Sequence, residues 1–96
     1  MKWVEVIEFR SFKKEQALLE LDFWNCLSEA AREAQIVKIE AYNHSTLPTD
    51  LSIHMHYESA QVASQGSSFG VRLVSELKAF GVVNHTVWVQ EKELRR

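Results

Sequence analysis

The hydrophobic residues of this chain change period in a fixed order, and that order constrains the fold more than any other feature. Residues 3–9 are β-branched and aromatic with two interspersed acids, which predicts a strand. Residues 12–34 are rich in Leu, Ala, Glu, Lys and Gln and contain no Gly or Pro, which predicts a long helix entered from Ser11 as its N-cap. Residues 36–43 and 51–58 alternate with period two, residues 67–80 return to helical spacing, and residues 82–90 supply a last strand. Pro48 lies in a polar stretch between two alternating segments and marks the loop of a hairpin. Gly81, directly after Phe80, reads as the left-handed residue that ends the second helix. The order is β-α-β-β-α-β. With right-handed crossovers it gives a four-stranded antiparallel sheet with two helices on one face, a split βαβ arrangement of the α+β class.

Composition narrows the function classes. The 96 residues hold one domain, 1–96, of ordinary globular make-up, 46% hydrophobic and 25% charged. A net charge of −2 with no clustered basic run argues against nucleic acid or an anionic membrane as the main partner. Cys26 is alone and forms no internal disulfide, which points to the cytoplasm. Glu5 comes too early for a signal peptide, and no apolar run is long enough to span a bilayer. RNA-recognition domains share the strand order but display aromatics on the third strand, where this chain has Ser52, His54, His56 and Glu58.

Each strand divides into two lists, one per face. Leu51, Ile53, Met55 and Tyr57 belong under the helices, as do Val37, Ile39 and Ala41 of the second strand and Val83, His85, Val87 and Val89 of the last. The first strand is apolar on both sides. Val4 and Val6 are assigned to the helix side, which leaves Trp3, Glu5, Ile7 and Phe9 on the other. A strand apolar on both faces normally has both covered, and a second copy of the chain is the simplest cover. The face away from the helices then combines aromatic walls (Trp3, Phe9, Tyr42, Trp88) with polar groups (Glu5, Glu40, His54, His56, Asn84, Thr86), the make-up of a small-molecule pocket.

These features resemble the dimeric α/β-barrel superfamily, whose ferredoxin-like βαββαβ domains pair sheet to sheet and which includes antibiotic-biosynthesis monooxygenases and muconolactone-isomerase-like enzymes. Residues 50–54 and 70–88 are also similar to those of a small bacterial group. The resemblance implies a homodimer, a pocket inside the barrel and cofactor-independent oxygenation or isomerisation of an aromatic or polyketide-like substrate. Haem-degrading members carry an Asn on the first strand, a mid-chain Trp and a His on the second helix. This chain has Glu5 and Glu8, no Trp between residues 25 and 87 and no His in residues 67–80, so haem chemistry is not implied.

Glu5, His54 and His56 are the catalytic candidates. A carboxylate among Trp3, Ile7 and Phe9 is desolvated and suited to proton transfer, His54 or His56 can relay the proton, and Asn84 or Thr86 can orient a carbonyl. Trp3, Phe9, Glu40, Tyr42 and Trp88 complete the binding candidates. His54 and His56 also have the i, i+2 spacing to chelate a metal with Glu5 or Glu40. No longer metal motif supports the pair, so no metal or other cofactor is assigned. Residues 66–70 place small residues and hydroxyls at a helix start, where free N–H groups hold an anion or Ser67 caps the helix. Capping is the simpler reading. Cys26 reads as inert core and His85 as a satisfied buried histidine. A non-catalytic ligand-binding or regulatory module is the alternative function.

Overall fold

In a computed structural model, which describes residues 1–12, 25, 27–29, 31–32 and 36–95, the alternating segments form β1 (Lys2–Ser11), β2 (Lys38–Asn43), β3 (Asp50–Glu58) and β4 (Gly81–Val89). They pair antiparallel in the order β2-β3-β1-β4, so β1 and β3 are central. Residues 25, 27–29 and 31–32 are helical (α1), and Ser68–Leu77 form α2. This is the expected ferredoxin-like α+β arrangement. The rest of the predicted first helix, with Leu18, Leu19, Leu21, Phe23, Trp24 and Cys26, lies outside the described residues. Ser11 is the last residue of β1, opposite Gly81, and the helix start expected to follow it lies outside the described residues.

The β1 register corrects the face assignment. Trp3 lies opposite Tyr57, Glu5 opposite Met55, Ile7 opposite Ile53 and Phe9 opposite Leu51. Directly opposed residues share a face, so Trp3, Glu5, Ile7 and Phe9 lie under the helices. They join the core of Leu51, Ile53, Met55, Tyr57, Leu27, Leu73, Val74 and Leu77. The cause is size. Burying each large apolar side chain contributes about 1.5–3 kcal/mol, so Trp3, Ile7 and Phe9 outweigh Val4 and Val6. Trp3 stacks on Tyr57 with ring centroids 4.0 Å apart, and its indole donates to Ser59 Oγ at 2.9 Å. Val4 and Val6 are half-buried on the opposite face, with Lys2, Glu8 and Arg10.

Ser67 caps α2 as expected: its backbone is extended, and its hydroxyl accepts from the Gly70 amide at 2.9 Å. Leu73, Val74 and Leu77 form the buried side of the helix, while Phe80, three residues past its end, is exposed. Gly81 does not end the helix in a left-handed conformation. It opens β4, where a Cβ would collide with the Arg10 carbonyl and the Phe9 ring. The glycine with positive φ is Gly66, at +100°, in the turn ahead of α2. The hairpin loop is as expected, with His44 Nδ1 accepting from the Thr46 and Leu47 amides at 3.1 and 3.0 Å. Among the described residues, no helix is long and apolar enough to cross a membrane.

Candidate functional site

The polar residues gather in two clusters on opposite faces of the sheet. The first surrounds Glu5, whose side chain is completely buried. Glu5 Oε1 accepts from the Ser67 hydroxyl at 2.7 Å and lies 3.0 Å from the Tyr57 hydroxyl. Glu5 Oε2 accepts from the Ser67 amide at 3.1 Å and lies 2.5 Å from His85 Nε2. The Tyr57 and Ser67 oxygens are themselves 2.9 Å apart, so three oxygens share two hydroxyl protons. An ionised carboxylate is the group that can accept all these bonds, and its place at the start of α2 adds the favourable end of the helix dipole. The anion suited to the Gly66–Gly70 turn is therefore the chain's own Glu5. Burial, chiefly, pushes the Tyr57 phenol well above its ordinary pKa, which keeps it a neutral donor.

The two glycines of this turn are dictated by the carboxylate. A Cβ on Gly70 would run into the Glu5 carboxyl group, and one on Gly66 would meet both His85 and Glu5. His85 is a satisfied histidine, as expected, but not wholly enclosed: its side chain is 16% exposed. The carboxylate at Nε2 fixes the N–H there and leaves Nδ1 as the lone-pair nitrogen. No residue among those described bonds Nδ1. His85 borders a groove of about 330 Å³ at the β4 edge, lined also by Ser64, Gln65, Thr86, Val87 and Trp88.

The second cluster lies on the face away from the helices. Glu40 is directly opposite His54, and Lys38 opposite His56. The Glu40 carboxylate is 2.7 Å from His56 Nε2 and accepts from the Tyr42 hydroxyl at 2.9 Å. His54 Nε2 is 2.9 Å from Ser52 Oγ, and its ring tilts against Tyr42 with centroids 4.9 Å apart. Hydrogen bonds from Tyr42 and then His56 hold the Glu40 carboxyl below its ordinary pKa, and the same bond to Glu40 raises the Tyr42 phenol. Toward β4, the exposed Trp88 donates to Thr86 Oγ1 at 2.9 Å, and Asn84 donates to Glu8 at 3.3 Å.

The structure thus separates the catalytic candidates. His54 and His56 share the open face with Glu40, Tyr42, Asn84, Thr86 and Trp88, whereas Glu5, Trp3 and Phe9 lie beneath the helices. Glu5 cannot pass a proton to His54 or His56 through the sheet. Its histidine is His85, a residue that periodicity placed on the correct face but that was not linked to Glu5. Placing Glu5 on that face is the signal that would have joined them, since a buried acid needs donors and His85, Tyr57 and Ser67 were within reach.

Fold and clusters together define a ferredoxin-like α+β domain in which no described element covers the second sheet face. No protein-family profile matches the chain, and no curated protein matches it. Among solved structures it is similar to a mutant of SnoaB, a cofactor-independent oxygenase from Streptomyces nogalater. The TM-score is 0.73 at 12% identity, over 99% of this chain and 98% of that one. The likeness is one of fold: both chains share the ferredoxin-like α+β arrangement.

Proposed function

We propose that this chain is a small-molecule enzyme, a cofactor-independent monooxygenase or isomerase, in which His85 is the base and Glu5 positions it. The observation that carries the reading is the buried Glu5 carboxylate bonded to His85 Nε2, with Nδ1 unpaired among the described residues beside the groove. A base oriented by a carboxylate is the arrangement proton abstraction calls for. Trp88 and Thr86 border the groove and supply an aromatic wall and a hydroxyl. His85 takes a proton from an activated CH₂ of an aromatic substrate, and the resulting carbanion gives its electron pair to O₂. The hydroperoxide formed on reprotonation loses water, so CH₂ plus O₂ becomes C=O plus H₂O. Returning the proton to another carbon gives isomerisation without O₂ uptake. The similarity to an oxygenase supports the first outcome.

The test is O₂ consumption and product analysis with enolisable polycyclic phenols and ketones. His85→Gln and Glu5→Gln are each expected to lower turnover by about 10²–10⁴-fold while retaining the native circular dichroism spectrum. Full turnover in His85→Gln would remove the assignment.

The same reading makes the protein a cytoplasmic homodimer paired through the open sheet face. Val4 and Val6 lie at the centre of that face, with Tyr42, Val82 and Trp88 exposed around them. Covering these side chains is the gain that pairing offers. Light scattering is expected to return twice the 11.1 kDa chain mass. A monomer mass throughout the micromolar range would exclude this dimer.

A further inference from the structure

Glu40, His54 and His56 form a second constellation that plays no part in the His85 chemistry. They lie on adjacent strands and one face, and a ligand atom from each lies within 4.8 Å of the others. The geometry points to a binding site for one divalent transition-metal ion of the zinc and iron(II) class, held by His54, His56 and the Glu40 carboxylate on the open sheet face. Two histidines and one carboxylate select such ions over magnesium or calcium, which prefer all-oxygen sites.

Bonds of about 2.0–2.2 Å to a shared ion place its ligand atoms roughly 3.3–3.5 Å apart, so modest side-chain rotations close the site. Two outer contacts brace it already. Tyr42 donates to the second Glu40 oxygen, and Ser52 bonds His54 Nε2, which leaves Nδ1 of that ring for the ion. Partners of this kind fix the orientation of metal ligands. The ion would replace the Glu40–His56 hydrogen bond. Lys38, whose ammonium is 3.8 Å from Glu40, is mostly exposed and free to swing into water. All three ligands are half-buried within the single chain, and three protein ligands leave a coordination position for water or a ligand atom inside the proposed dimer. Spacing alone did not justify a metal at His54 and His56. What changes the assignment is the placement of Glu40, and not Glu5, beside them on the neighbouring strand.

Cobalt(II) titration followed by visible absorption and calorimetry, with zinc(II) as competitor, tests the site in the full chain. One Co²⁺ per chain, displaced by Zn²⁺, is expected. Affinity should fall at least about tenfold in His54→Ala, His56→Ala and Glu40→Gln, and by a similar factor in Tyr42→Phe, whose side chain touches the ligand and not the ion. His44→Ala, at an exposed histidine outside the cluster, and His85→Gln should bind as the parent does, so failure here is distinct from failure of the proposed reaction. No saturable binding, equal binding in the three ligand variants, or loss on changing His44 would each overturn the site.

Discussion

Glu5→Leu is expected to lower stability by roughly 3–5 kcal/mol, read as a shift of the urea midpoint without a change in slope. Leucine is compatible with the apolar Met55 opposite on β3, and its burial returns up to about 2 kcal/mol. Against that, the Ser67 amide, His85 Nε2–H and a hydroxyl proton lose their acceptor in a largely enclosed site, at about 1–3 kcal/mol for each buried donor left unsatisfied. For a domain whose whole stability is about 5–15 kcal/mol, this corresponds to a fall of roughly 15–30 °C in Tm. Glu5→Gln keeps the shape and one acceptor oxygen, and His85 can change tautomer to accept from the new amide, so its cost should be about 1–2 kcal/mol. Equal stability of the leucine variant and the parent would mean that the network contributes nothing to the fold.

Gly70→Ala is expected to destabilise by about 2–4 kcal/mol, although alanine is the better helix former. Propensity favours alanine by about 1 kcal/mol. The added methyl, however, enters the volume of the Glu5 carboxyl group, and overpacking of this kind costs about 1–3 kcal/mol before any hydrogen bond is lost. The collision wins, and the Ser67 contacts that it displaces add to it. A double-mutant cycle identifies the cause. In a Glu5→Ala background the carboxyl group is absent, and Gly70→Ala should become neutral or stabilising, a coupling of at least about 2 kcal/mol. An unchanged penalty in that background would place the obstruction elsewhere.

Strand order, the hairpin at Pro48, the Ser67 cap and the faces of β2, β3 and β4 were all legible in the sequence, because each rests on local periodicity or a single turn residue. The faces of β1 were not. Trp3, Val4, Val6, Ile7 and Phe9 make both sides apolar, and the acid at position 5 tilts a one-strand reading toward the solvent side. That inference fails because the donors that permit a buried Glu5 are distant in sequence: Tyr57 on β3, Ser67 at a helix start and His85 on β4. Gly81 was misread for a related reason. Its lack of a side chain answers to the Arg10 carbonyl across the sheet, a neighbour that local sequence does not reveal. The open-face cluster was partly legible, since His54 and His56 share a face by spacing alone, but joining Glu40 to them required the β2–β3 register.

The start of α2 also has a consequence for the order in which the chain folds. Its capping serine is tied to a carboxylate 62 residues earlier, and that carboxylate to a histidine 80 residues beyond it. A helix usually completes its first turn with groups from its own neighbourhood, whereas this one borrows an acceptor from the first strand. Closing so large a loop costs entropy before any contact rewards it, and contacts of high sequence separation slow folding. The N-terminal turn of α2 can therefore reach its final form only after β1 has found its place between β3 and β4. Residue 5, synthesised well before residue 85, waits for it before its charge is fully matched.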